Sequence, residues 1–206
     1  DMTTFFFHGA DGRIAQTDPD NGVVDVFYNE HNVSAVDQIF QILYDENIFF
    51  NVHTRVSLPD NDYYTFFRDG HTLFYVGCMM EEVSKLREAD LNFGIIPNPK
   101  YDEAQKDYHS TVSVHHTGLL SVPKTAMQLE KIGYILEALS AKSAEVLQPA
   151  YYETALKGKA LRDMESEEML DIIFANRVFD LGDIMNFGNF SIDFICISTG
   201  SKSQDI

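Results

Sequence analysis

The feature that most constrains this chain is a pair of short apolar segments separated by a glycine and one amphipathic stretch. Residues Thr72-Leu73-Phe74-Tyr75-Val76 are β-branched or aromatic and nearly all apolar. A run this short, without polar alternation, predicts a strand covered on both faces. Gly77 ends it, residues 79–87 read as a helix, and a second strand over residues 91–96 stops at Pro97-Asn98-Pro99. Strand, glycine, helix, strand in that order predicts a layered α/β fold, a sheet flanked by helices.

The flanking segments fit around that unit. Turn signals stand at Gly9-Ala10-Asp11-Gly12 and Asp18-Pro19-Asp20-Asn21-Gly22, so residues 13–16 and 23–28 read as the strands of a hairpin. Val36, Ile39, Phe40 and Leu43 fall at helical spacing, with Asn32 or Ser34 as the cap. A turn over residues 57–62 opens a short helix through Tyr63, Phe66 and Phe67, which Asp69-Gly70 ends. Residues 100–109 read as loop and 111–122 as strand-like. After Pro123 a helix carries the apolar stripe Leu129, Ile132, Leu136 and Leu139, and Pro149 marks a break. Ser166-Glu167-Glu168 reads as the cap of a further helix bearing Met169, Ile172 and Ile173. Residues 187–197 are apolar, helix or strand, and the last nine are polar.

Charge excludes some partners. The 206 residues carry a net charge of −17. Such a field repels phosphate backbones and anionic membrane surfaces, so no nucleic-acid partner is expected. The first seven residues lack a basic region and cleavage site, so any export signal or lipid anchor is expected to lie outside this chain.

Motifs for chemistry are incomplete. Gly9-Ala10-Asp11-Gly12 lacks the Lys-Ser/Thr of a phosphate loop. His115 and His116 are adjacent and would point to opposite faces of a strand. Asp18, Asp20 and Gly22 evoke a calcium loop that Pro19 and the missing downstream Glu defeat. Cys78 and Cys196 read as core residues. Glu81-Glu82 and Glu167-Glu168 are neighbours on helices and point apart. No metal, cofactor or catalytic residue is therefore expected, and the chain reads as not an enzyme.

Phe66-Phe67-Arg68-Asp69-Gly70-His71-Thr72-Leu73-Phe74-Tyr75-Val76-Gly77 resembles a helix, glycine and core-strand segment of extracellular solute-binding proteins (family 1). Leu91-Asn92-Phe93-Gly94-Ile95-Ile96-Pro97-Asn98-Pro99-Lys100 resembles that family's "dFGi-x-P-x-P" strand, and Leu119-Leu120-Ser121-Val122-Pro123-Lys124-Thr125 its strand and turn before a long helix. The stretch from Pro149 through Asp163 to Asp171 is similar to a subgroup assigned to carbohydrate import. The resemblance spans residues 61–190 and implies a type II periplasmic-binding-protein-like lobe. It makes residues 1–206 a carboxy-terminal portion with the first lobe missing: second-lobe strands and helices over about 1–100, the hinge crossing and following helices over about 110–206.

The implied function is capture of a carbohydrate for the permease subunits of a bacterial ABC importer, outside the cell. The anchor would be a lipid, or the protein periplasmic in a Gram-negative host. Ligand contacts are implied for Gly77, Met79, Met80, Glu81, Ser113, His115, His116, Phe187 and Phe190, with Met80 where relatives carry an aromatic. Because half the cleft is missing, the chain alone is expected to bind weakly. The alternatives are a secreted glycoside-hydrolase-associated domain, which needs two carboxylates across a groove, and a non-catalytic adhesive surface module.

Overall fold

The computed structural model describes residues 2–50, 64–77, 85–86, 91–114, 118, 120–151, 153 and 164–189. The chain opens with helix α1 (Met2–Gly9), which buries Phe7 and His8. The hairpin follows as β1 (Ala15–Asp18) and β2 (Gly22–Asp25), antiparallel with Ala15 opposite Asp25. Its turn is built by Asp18, whose carboxylate accepts the N–H of Asn21 at 2.7 Å and of Asp20 at 3.0 Å. The acidic turn is therefore satisfied by its own backbone.

Helix α2 (Glu30–Tyr44) buries Ala35, Val36, Ile39 and Phe40 along the stripe that the spacing predicts. Its cap is Asn29, which accepts from Asn32 N–H, rather than Asn32 or Ser34. Asn32 is instead buried within the first turn. Its amide donates to the carbonyls of Arg13 at 2.8 Å, Phe27 at 2.9 Å and Val26 at 3.3 Å. One side chain thus ties α2 to both arms of the hairpin. The core closes there: Phe7, Ile14, Val36, Ile39 and Phe40 pack together, with Phe6, Phe27, Leu43 and Tyr44 around them.

Helix α3 (Thr65–Arg68) ends at Asp69-Gly70 as expected, with Gly70 N–H on Phe67 and His71 N–H on Phe66. The two segments expected as buried strands behave otherwise. Residues 72–77 form no strand ladder, and Leu73 and Phe74 are 82% and 68% exposed. Residues 91–96 are also outside any ladder, although Ile95 N–H reaches Ser166 Oγ at 3.0 Å. β-Branched and aromatic composition sets a local preference for extended backbone; a strand also needs a partner edge.

The β-structure of the described residues is two separate pairs of strands. The second pair is β3 (Ser110–Thr111) and β4 (Arg177–Val178), parallel, with Ser110 opposite Arg177. Among the described residues of the expected 111–122 strand, Thr111 alone stands in this ladder. Between β3 and β4 lie α4 (Leu129–Lys142), a π-helical turn (Ser143–Leu147) and α5 (Gln148–Tyr151). Leu129 and Leu139 of the α4 stripe are exposed. The irregularity at Pro149 is expressed just before it, as the widened π turn. Helix α6 (Met164–Ala175) starts before Ser166, which is buried inside it instead of capping it. The described chain finishes with α7 (Leu181–Ile184) and a 3-10 turn (Phe187–Asn189).

Candidate functional site

Arg177-Val178-Phe179-Asp180 alternates outward and inward: Arg177 and Phe179 are exposed, Val178 and Asp180 buried. This period of two directs Asp180 under β1. Its carboxylate accepts Ile14 N–H at 2.7 Å and Ala15 N–H at 3.0 Å, and caps α7 through Gly182 N–H at 2.8 Å. His8 Nε2 lies 3.5 Å from Asp180 Oδ2, and the two side chains are 1% and 0% exposed. At that distance the contact is electrostatic attraction rather than a well-directed hydrogen bond. Burial is the largest influence on the Asp180 carboxyl and pushes it up. The His8 imidazole beside it and the N–H groups of Ile14 and Gly182 together outweigh burial and hold the group below its ordinary value.

On its other side His8 Nδ1 meets Thr111 Oγ1 at 3.1 Å, and the Thr4 carbonyl lies 3.3 Å from that hydroxyl. The roles of the two ring nitrogens depend on the tautomer: a proton on Nε2 points an N–H toward the carboxylate and lets Nδ1 accept from Thr111, whose single hydroxyl proton then no longer serves the Thr4 carbonyl. Hydroxyl, imidazole and carboxylate stand in the order of a nucleophilic relay. The enclosure of His8 and Asp180 and the commitment of Asp180 to three backbone N–H groups make it a structural tie joining α1, β3 and α7.

Outside this tie lies an open groove of about 560 Å³. β1 supplies Gln16 and Thr17 to its walls, the β4 strand and its flanks Asn176, Arg177 and Phe179, and the connecting loops Arg13 and His109. Arg13 donates to the Gly12 carbonyl at 2.7 Å and pairs with Asp11 at 3.1 Å. Burial lowers its guanidinium from the ordinary value, against the raising influence of Asp11 and Asp180. His109 Nε2 meets the same Asp11 oxygen at 3.1 Å. Burial and then Arg13 lower His109 below its ordinary value, against Asp11 and Asp107. Arg177 Nε donates to the Phe174 carbonyl at 2.9 Å and its guanidinium stacks over the Phe174 ring. Phe179 is 59% exposed at the groove.

The site residues implied by resemblance fall elsewhere. Gly77 is exposed at the end of the 72–77 stretch, Ser113 is half-buried two residues beyond β3, and Phe187 stands on the 3-10 turn. None of the three lines the groove. Met79, Met80, Glu81, His115, His116 and Phe190, like Cys78 and Cys196, lie outside the described residues. Sequence reading gives no role to His8, His109, Arg177, Phe179 or Asp180. The one available signal was the polar-apolar alternation of residues 177–180.

Among the described residues no group of three or more His, Cys, Asp or Glu is placed to hold a metal ion. No helix there is long and apolar enough to cross a membrane. No protein-family model, curated protein or solved structure matches the chain.

Proposed function

We propose that the chain is a carboxy-terminal portion of the solute-binding component of a bacterial ABC importer, a periplasmic-binding-protein-like lobe that captures a carbohydrate and does no chemistry on it. The observation that carries this reading is the groove. It places polar side chains from three distant segments around an exposed aromatic, Phe179. An aromatic face against sugar C–H groups with side-chain donors on hydroxyls is the usual chemistry of saccharide recognition. The ordered motifs over residues 61–190 support the same reading.

The alternatives fit the groove less well. Among the described residues its one lining carboxylate, Asp180, is committed to three backbone N–H groups, whereas glycoside hydrolysis uses two carboxylates. A concave polar wall also differs from the flat face of an adhesive module. In the proposed setting the protein is held outside the cell by a lipid anchor beyond this chain, or is periplasmic, and delivers its solute to permease subunits. Ligand capture follows closure of two lobes, driven by contacts that the closed state alone makes.

Calorimetry of the intact protein against oligosaccharide pools and peptide pools tests this. Heat with saccharides is expected; heat with peptides alone rejects the ligand class. Phe179→Ala and Met80→Ala then separate the groove from residues 77–81 of the resembling segment as the contact surface.

A further inference from the structure

The ionisable lining of the groove is unusual for this chain. Acidic residues outnumber basic ones 32 to 15, yet among the described residues the ionisable side chains facing solvent in the groove are Arg13, His109 and Arg177. The lining carboxylate, Asp180, has a fully enclosed side chain beneath them. Asp11 grips Arg13 and His109 from the rim and fixes both.

The two guanidiniums keep donors in reserve. Two of the five N–H groups of Arg13 are used, on Gly12 and Asp11. Arg177 spends its Nε on Phe174, which orients the remaining fork. The Arg13 side chain is only 17% exposed, so it is poorly hydrated and gains from a further anionic partner. Gln16 and Thr17, exposed on β1, add neutral hydrogen-bonding groups, and Phe179 adds a ring on the face that Arg177 shares.

We infer that this groove selects a carboxylate-bearing saccharide, a uronate, with Arg13 and Arg177 taking the carboxylate and Phe179 stacking on the sugar ring. The inference rests on the solute-binding reading and adds its specificity. A neutral sugar leaves the cations without their partner, and a bare anion leaves the aromatic unused.

Calorimetry of the intact protein with glucuronate, digalacturonate, glucose and acetate tests it. A uronate is expected to bind at least about tenfold more tightly than either glucose or acetate. Its affinity should fall as salt is raised toward about 1 M. Arg177→Gln, at an exposed position, and Arg13→Gln are each expected to weaken uronate binding about tenfold and to weaken any glucose binding by less. Phe179→Ala should weaken uronate and glucose alike and leave acetate unchanged. Glucose binding as tightly as the uronates, or uronate binding indifferent to Arg177→Gln, overturns the inference and leaves the solute-binding reading standing. Acetate matching glucuronate overturns it by removing the saccharide. No binding of any saccharide alongside binding of peptides rejects the parent reading and the inference together.

Discussion

Asp180 Oδ2 accepts the N–H of Ile14 at 2.7 Å, across 166 positions of sequence. This bond, with its companion to Ala15, holds the start of β1 against the end of β4, and the groove is the space those two edges leave.

Removing that carboxylate is expected to be costly. Asp180→Ala leaves the N–H groups of Ile14, Ala15 and Gly182 without this acceptor in a buried site, a loss of about 3–5 kcal/mol. Asp180→Asn keeps an acceptor and should lose less, about 1.5–3 kcal/mol. The sign with pH is definite. A carboxyl held below its ordinary 3.8 contributes stability that is complete above that value and is lost as pH falls through the lower folded-state value. Urea titrations at neutral pH and in the acid range check both; a wild-type and Asn variant that lose stability in parallel with acid would remove this role.

Asn32 ties a helix to a hairpin through carbonyls. Asn32→Ala strips the Arg13 and Phe27 carbonyls of their amide donor, at about 2–3 kcal/mol. Asn32→Asp should be at least as harmful, because a carboxylate then faces carbonyl oxygens. Thermal denaturation by circular dichroism reads the difference, and an Asp variant as stable as wild type would contradict the assignment.

Two glycines should respond differently to a methyl group. Gly182 lies against Ile14, and a Cβ there would fall on the Ile14 side chain. Gly182→Ala is expected to cost about 1–3 kcal/mol by overpacking, and to shift the Asp180 cap with it. Gly22 sits at φ +79° in the hairpin turn with open space around it. There only the left-handed backbone resists substitution, so Gly22→Ala costs about 1 kcal/mol and Gly22→Asn less. Asn tolerated no better than Ala at position 22 would contradict the turn geometry.

His109 reports on the rim of the groove. Its ring should titrate below the ordinary 6.5, neutral where an exposed histidine is half charged. The stability this neutral form contributes is complete above 6.5 and declines as pH falls toward the folded-state value. Proton NMR of the ring is the measurement. Arg13→Gln should move the midpoint up and Asp11→Asn should move it down, since these two neighbours act in opposite senses. Shifts in the same direction would rule out the arrangement.

Much of the amino-terminal structure was legible locally. The Asp18-to-Gly22 turn, the Val36, Ile39, Phe40 face of α2 and the Asp69-Gly70 stop all appear where side-chain chemistry places them. The misread positions have a common cause. Asn32 and Ser166 carry capping chemistry, but both are buried inside their helices and hydrogen-bond to distant backbone. Residues 72–76 and 91–96 have strand composition but pair with no edge among the described residues.

The amino-acid order alone therefore determined the hairpin turn, the α2 stripe, the acidic charge and the short-range stops, because each depends on atoms within a few residues. Only the tertiary structure decided that Asp180 lies under Ile14, that Thr111 meets His8, and that Arg13, His109, Arg177 and Phe179 share one groove. Those meetings depend on which distant segments together bury their apolar faces and satisfy each other's polar groups, a condition no local pattern records.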